Sequence, residues 1–154
     1  MTLTDLDKQI LGILFEDART PVSEIAARLD EPVSTVHGRM RRFKSSGLIQ
    51  TYRPVLDPRK LGYDVKAVVQ FHRDTNGQIE SILPHLDKIQ NVVHFIHPLG
   101  NIDGLVTVWV RNIDELATVI DQINDIPGVI RTETLVILDE KQFAPPPIDR
   151  NFNG

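Results

Sequence analysis

The side chains best suited to chemistry lie in residues 33–49, VSTVHGRMRRFKSSGLI. Four arginines and lysines fall within six positions of this segment (Arg39, Arg41, Arg42 and Lys44), and hydroxyl residues precede them. Guanidinium groups bind phosphates and guanine edges in a forked geometry, and hydroxyls reach either group. The segment therefore predicts a contact with a polyanion, although the whole chain carries a net charge of −4.

As a helix, this segment divides into two faces at about 100° per residue. One face is apolar, and the other is built from small, hydroxyl and basic residues around Gly38. Glycine costs a helix roughly 1 kcal/mol relative to alanine, but it lets the backbone approach another surface closely. A DNA major groove suits this combination, whereas a solvated basic surface is the plainer alternative. The predicted DNA-binding residues are Ser34, Thr35, His37, Gly38, Arg41, Arg42 and Lys44.

The apolar face has a separate role, because Val33, Val36, Met40 and Phe43 recur at helical spacing and must face other helices. Arg39 lies on the flank between the two faces. An ion pair with an acid of the first helix, such as Asp7, is at least as favourable there as a phosphate contact.

Two more helices precede this segment. Thr4 is a predicted N-cap, followed by Leu6, Ile10, Ile13 and Leu14 at helical spacing. A second helix is predicted with Thr20 as its cap and Pro21 at its first position. Gly47 is a stop signal for the third helix. Residues 1–50 therefore form a predicted helix-turn-helix domain, and a strand or linker follows over 51–62. Leu48 to Tyr52, at the boundary between the two, can form a strand that would serve as a wing.

Residues 63–140 follow a different pattern. Alternating strands and helical stripes occur in the order β-α-β-β-α-β, which predicts a ferredoxin-like domain. The fold class is thus α+β: an N-terminal winged helix-turn-helix domain joined to a ferredoxin-like domain. Both alternating sets in GLVTVWV are largely apolar, so the second face of the sheet needs a cover, for which a partner subunit is the simplest answer. Residues 141–154 form a proline-rich tail, predicted to be extended or disordered.

Composition narrows the function classes. The chain has 154 residues and no cysteine, which excludes disulfides, thiolate metal sites and a cysteine nucleophile. No secretory signal or apolar run of about 20 residues is present, so a cytoplasmic protein without a membrane partner is expected. Residues 28–60 hold eight basic and three acidic side chains, and residues 61–154 hold seven and thirteen. This split indicates that one module meets an anion and the other does not.

The residues carry a resemblance to a known family. LDKQILGILFEDARTPVSEIAARL, the later STVHGRMRRFKSSGLI and LDPRKLGY resemble the helix-turn-helix half of the Lrp/AsnC (leucine-responsive, or feast/famine) transcriptional regulators. Residues 63–140 resemble that family's amino-acid-binding module. One departure is Asp30-Glu31-Pro32, where the family has a Gly-Leu-Ser-like turn. The departure removes the hydroxyl cap and puts Pro32 at the first position of the helix. It leaves the helix in place and bears on base preference and on where the helix starts.

The resemblance implies duplex DNA, further copies of the chain and an amino-acid effector as partners, with no other cofactor. The family's effector loop carries a Gly-x-x-Asp pattern, matched by Gly100 and Asp103. From spacing alone the loop PLGNIDGL is an ordinary turn. The resemblance implies that the glycines and N–H groups of the loop bind the carboxylate of an amino acid and that Asp103 binds its ammonium group. It also implies that the site is shared between subunits. The predicted effector residues are Gly100, Asn101, Ile102, Asp103, Thr132 and Thr134.

Two rival functions remain open. Haem-biosynthesis decarboxylases have a two-module architecture that resembles this one. Such an enzyme needs no basic outward helix face, and the sequence shows no catalytic constellation. An architectural DNA-binding protein would use the second domain only to dimerise. His94 and His97 do not predict a metal site, because an offset of three on a strand points them to opposite faces.

Overall fold

The computed structural model describes residues 2–74, 77–141, 143 and 148. The chain divides into two compact units, one formed by Met1–Val55 with Lys141–Gly154 and the other by Leu56–Glu140. Within the described ranges, no helix has the length and apolar character required to cross a bilayer.

The first unit contains three helices: α1 (Asp5–Glu16), α2 (Val22–Leu29) and α3 (Val33–Ser45). Thr4 caps α1 as predicted, through a capping box. Its hydroxyl accepts from the Asp7 N–H, and the Asp7 carboxylate accepts from the Thr4 N–H.

Helices α2 and α3 both begin one residue later than predicted. Pro21 and Pro32 are their N-caps rather than their first helical residues, and neither helix has a side-chain cap. The Thr20 hydroxyl instead donates to the Asp17 carbonyl at 2.8 Å. The predicted stop of α3 is confirmed, because Gly47 follows the helix with φ 74°.

The core of the first unit forms between the three helices. Ile10, Ile25, Val36 and Phe43 are fully buried in it. Burial of one such side chain contributes about 1.5–3 kcal/mol. The predicted apolar stripe of α3 holds for Val36 and Phe43, whereas Val33 remains 51% exposed.

The predicted wing is not formed. No strand occurs over residues 48–56, all of which the structure describes. The Ile49 N–H donates to the Phe43 carbonyl, which closes the end of α3. A strand needs a partner for its N–H and C=O groups. No described segment pairs with residues 48–56, so they remain irregular.

The second unit has the predicted β-α-β-β-α-β order. Its elements are β1 (Val65–Arg73), α4 (Ile79–Leu86), β2 (Val92–Ile96), β3 (Gly104–Val110), α5 (Ile113–Asn124) and β4 (Val129–Val136). The strands form one antiparallel sheet in the order β2-β3-β1-β4.

The two faces of this sheet differ. Ala67, Val69 and Phe71 of β1 are fully buried in one core with residues of α4 and α5. The opposite face, here called the open face, carries residues of all four strands, among them Val68, Leu105, Trp109 and Leu135. Leu135 is 53% exposed. The predicted apolar second face is therefore present.

The C-terminal segment is described at three positions. Ile148 is partly buried and packs against the core of the first unit. The Lys141 ammonium lies 5.2 Å from the centroid of the Phe143 ring. The predicted extended or disordered state of residues 142, 144–147 and 149–154 lies outside the described residues.

Candidate nucleic-acid interface and ligand site

Helix α3 presents a narrow polar surface, here called the α3 face. Its members are spaced by three or four residues, so they lie within about 100° of arc, and all are exposed. They are Ser34, His37, Gly38, Arg41 and Ser45. The predicted residue Thr35 lies at one margin and is partly buried, and Lys44 lies exposed at the other.

The centre of the α3 face is open. A Cβ placed on Gly38 would meet nothing within 4 Å. Among the described residues, Arg41 and Lys44 form no ion pair. The face thus offers a free guanidinium and a free ammonium beside a position where the backbone itself can be approached.

Arg42 requires a correction. It was predicted to point outward, but its Nη2 donates to both Asp7 oxygens, at 2.8 and 2.7 Å. Arg39 Nη1 also donates to Asp7, at 3.0 Å, so the ion pair expected for Arg39 is confirmed. Arg42 lies on the flank of α3, and its long stem lets the guanidinium reach back to α1.

Asp7 is the centre of this cluster and has no exposed surface. Burial raises the pKa of its carboxyl, but the backbone and hydroxyl hydrogen bonds from Thr4 and the Arg39 guanidinium outweigh burial, and the pKa lies below its ordinary value. We call Thr4, Asp7, Arg39 and Arg42 the Asp7 cluster.

The turn before α3 is closed by Asp30, the residue at which the family resemblance departs. Asp30 adopts a left-handed conformation with φ 51°. Its N–H donates to the Ala27 carbonyl, and the Glu31 N–H donates to the Ala26 carbonyl. Aspartate tolerates this conformation better than most residues other than glycine. The altered turn therefore still supports a helix-turn-helix arrangement.

The loop before β3, residues 98–103, is here called the effector loop. Gly100 and Asn101 are exposed, and Ile102 and Asp103 are partly buried. The Asp103 N–H donates to the Phe71 carbonyl at 3.0 Å. Within the described chain, the N–H groups of Gly100 and Asn101 enter no backbone hydrogen bond.

Asp103 has a partner that sequence reasoning missed. Arg73 donates its backbone N–H to Asp103 Oδ2 at 3.0 Å and its Nε to Oδ1 at 2.9 Å. Arg73 Nη1 also donates to the Gly77 carbonyl. The Arg73 N–H is the largest cause of a lowered pKa at Asp103, and its guanidinium adds to the effect against partial burial. No signal in the sequence marked this pair, which spans 30 positions.

Gly104 serves packing rather than ligand approach. A Cβ at this position would overlap the Phe71 ring and lie 2.9 Å from Phe95 Cε2. By contrast, a Cβ at Gly100 would meet nothing within 4 Å. Of the two glycines in PLGNIDGL, only Gly100 has free space where a side chain would lie.

Thr132 and Thr134 share one face of β4, as predicted, but they lie on the helix-covered side. They pair with Phe71 and Val69, whose side chains are buried there. The Thr132 hydroxyl donates to Asn124 Oδ1 at 2.9 Å. Gly104 pairs with Phe71 from the other side, so Thr132 lies two strand spacings, about 10 Å, from the end of the effector loop. One protomer does not bring these threonines into the loop.

The described residues contain no group of three or more metal-ligating side chains close enough to hold an ion. A groove of about 570 Å³ lies between α4 and β2, and none of the predicted site residues lines it.

Comparison with known proteins gives the class of this chain. The AsnC-type helix-turn-helix domain matches residues 3–44, and the Lrp/AsnC ligand binding domain matches residues 66–146. The chain is 32% identical over 136 residues to the HTH-type transcriptional regulator FL11 of Pyrococcus horikoshii, covering 88% of this chain and 89% of that protein.

Solved structures agree with this assignment. AsnC from E. coli superposes with a TM-score of 0.82 at 29% identity, covering 94% of this chain and 98% of that one. A transcriptional regulator from Neisseria meningitidis, solved as its L-Met complex, superposes with a TM-score of 0.83 at 20% identity, covering 92% and 94%. The chain belongs to the Lrp/AsnC family of helix-turn-helix transcriptional regulators.

Proposed function

We propose that this protein regulates transcription by placing the α3 face in the major groove of duplex DNA, under the control of an amino acid bound at the effector loop. The observation that carries the DNA contact is the exposed line through Ser34, His37, Gly38 and Arg41. Only this face of α3 combines hydrogen-bonding groups with a glycine whose surroundings are open.

The chemistry of the α3 face suits base reading. Arg41 has no ion pair within the described chain, so its guanidinium is available to guanine O6 and N7. The small residues Ser34 and Gly38 leave room for the helix to enter the groove. Lys44, at the margin, suits a phosphate, which positions the helix without reading sequence. Arg42 lies beside the α3 face and is 43% exposed, but its ion pair with Asp7 makes its charge less available to DNA than that of Arg41.

The effector loop suits an α-amino acid. The N–H groups of Gly100 and Asn101 are available to a carboxylate, and consecutive N–H groups form a common anion-binding arrangement. Each oxygen of Asp103 accepts from Arg73 and has lone pairs left for an ammonium group. The L-Met complex of the Neisseria regulator supports an amino acid as the class of ligand.

Assembly into at least a dimer belongs to the same proposal. On the open face, Val68 lies diagonally across from Leu105 and Trp109. The Trp109 Nε1 is buried and has no hydrogen-bond partner in the described chain. Leu135, opposite Val68 on β4, extends this surface at 53% exposure. A second copy would cover these apolar residues, and a two-fold dimer would place two α3 helices on half-sites about one helical turn apart.

The DNA contact is tested by selection of bound duplexes from a random pool, followed by affinity measurements with Arg41→Ala. Loss of a base contact should cost about 1–3 kcal/mol per half-site and relax specificity. Arg19→Ala is the matched control, because Arg19 is also exposed and lies in the same unit. Parental affinity and specificity in Arg41→Ala would contradict the assignment.

We also infer a role in regulation rather than in catalysis, because the relatives of this chain are transcriptional regulators. Haem titration followed by visible absorption spectroscopy tests the rival decarboxylase function, which requires a bound tetrapyrrole. Calorimetry with the twenty amino acids separates an effector-controlled regulator from an architectural DNA-binding protein.

A further inference from the structure

Two of the four basic residues on α3 share one buried acid. Arg39 and Arg42 both donate to Asp7, at 3.0 and 2.7 Å. The Asp7 side chain has no exposed surface, whereas those of Arg39 and Arg42 are 28% and 43% exposed. The carboxylate is ionised at neutral pH, since its pKa lies below the ordinary value. The Asp7 cluster therefore carries one net positive charge instead of two.

We propose that Asp7 limits the sequence-independent DNA affinity of this protein by cancelling one positive charge beside the α3 face. The inference rests on the proposed DNA-binding function. Sequence-independent binding to DNA is almost wholly electrostatic and grows with each charge that neutralises a phosphate. An acid that removes charge next to the base-reading residues weakens binding to any duplex without removing a base contact.

The position of the Asp7 cluster fits this role better than a purely structural one. A carboxylate that only capped α1 would need Thr4 alone, which it already holds through the Thr4 N–H and hydroxyl at 2.9 Å. The two additional donors both come from the helix that carries the α3 face. Arg41 and Lys44, the other basic residues of that helix, form no ion pair within the described chain. The basic residues of α3 thus form two pairs, Arg39 and Arg42, which share the charge of Asp7, and Arg41 and Lys44, which do not.

The test is the salt dependence of binding to a short duplex of random sequence and to a selected operator duplex. Asp7→Asn keeps the shape of the side chain and an oxygen for the Thr4 cap, but it removes the charge. We expect the slope of log affinity against log salt to steepen by about 0.9 per bound unit, which corresponds to roughly eightfold tighter random-sequence binding near 0.1 M salt. The affinity for the operator should rise by a similar factor, because the base contacts are unchanged. A carboxylate with only a structural role predicts the opposite, weaker binding to both duplexes.

Asp5→Asn is the matched control. Asp5 lies on the same helix, but its side chain is 93% exposed and pairs with Lys8. It should leave the slope unchanged, and a rise equal to that of Asp7→Asn would overturn the inference, because net charge alone would then explain the effect.

The double variant Asp7→Asn/Arg42→Gln removes the pair together and remains informative if Asp7→Asn alone fails to fold. We expect the parental slope, since a neutral pair has been removed. A slope shallower by about 0.9 would show that Arg42 is a full phosphate contact and would overturn the inference. Absence of salt-dependent binding by the parent would overturn the DNA-binding proposal itself, whereas parental binding with an unchanged slope in Asp7→Asn would overturn this inference alone.

Discussion

Arg73 holds both oxygens of Asp103, one through its backbone N–H at 3.0 Å and the other through its Nε at 2.9 Å. The pair joins the end of β1 to the last residue of the effector loop. Asp103 is thus oriented before any ligand arrives, and its side chain keeps 29% exposure. A preoriented carboxylate loses less conformational freedom when it binds an ammonium group.

Asp103→Ala should weaken amino-acid binding at least tenfold, because the variant removes the proposed ammonium partner and frees Arg73, whose charge opposes an ammonium. Calorimetry with the effector identified from the twenty amino acids measures the loss. DNA binding without effector should stay close to the parent. Asp114→Ala is a suitable control, since Asp114 is an exposed acid of the same unit at the start of α5. Equal effector affinity in Asp103→Ala and the parent would remove Asp103 from the site.

Gly104→Ala should destabilise the second unit by roughly 1–3 kcal/mol, the range for overpacking a core. The added Cβ would overlap the Phe71 ring, and Phe71 is fully buried. Gly100→Ala is the control four residues away, where a Cβ meets nothing and should change stability little. Urea unfolding of both variants measures the difference, and equal stabilities would show that the Phe71 ring moves without strain.

Gly38→Glu should abolish DNA binding without unfolding the first unit. The new side chain has free space around its Cβ, so the fold tolerates it, but it places an acid in the centre of the α3 face. Circular dichroism with thermal unfolding checks the fold, and fluorescence anisotropy with an operator duplex checks binding. Gly38→Gln separates size from charge. Binding of Gly38→Glu at parental strength would exclude the α3 face as the interface.

Leu135→Lys should shift the protein from dimer to monomer. The substitution places a charge on the open face beside Val68, its partner on β1. Burial of an unpaired ammonium in an apolar interface is strongly unfavourable. Light scattering at micromolar concentration measures the change, with Thr118→Lys, which adds the same charge on the exposed surface of α5, as the control. A monomeric parent would contradict the dimer outright.

Acidification should destabilise each unit in part through a carboxylate that is buried or half-buried, Asp7 in the first unit and Asp103 in the second. Both have a pKa lowered in the folded state. Each therefore contributes stability that is present above the unfolded pKa of about 3.9 and lost as the pH falls through the folded pKa. The stability difference between the parent and Asp7→Asn, or Asp103→Asn, should shrink as the pH falls below about 4. A difference constant with pH would show that the ionised form is not the stabilising one.

Local sequence patterns predicted many of the core residues and the starts of the helices in the first unit. Helical spacing placed Ile10, Ile13 and Phe43 in one core, and the period-two alternation of GLVTVWV gave β3 two apolar faces, with Val106 and Val108 on the buried one. These patterns are readable because side-chain direction repeats every 3.6 or 2 residues, whatever the rest of the chain does. The start of each helix in the first unit was predicted within a residue, since caps and the stop at Gly47 are also local.

Tertiary structure alone decided the partners of Arg42 and Asp103. Arg42 and Asp7 are 35 positions apart, and Arg73 and Asp103 are 30 apart. The position of Arg39 on the flank of α3 already favoured Asp7 as its partner. The helical projection assigned Arg42 to the outward face, because a projection does not take the length of a side chain into account. The requirement for glycine at position 104 likewise comes from the Phe71 ring, which lies on another strand. Leu48 to Tyr52 has the residues of a strand, but no segment of the described chain pairs with it. Sequence periodicity predicts the direction in which a side chain leaves the backbone. Only the folded chain determines which groups lie within reach of its end.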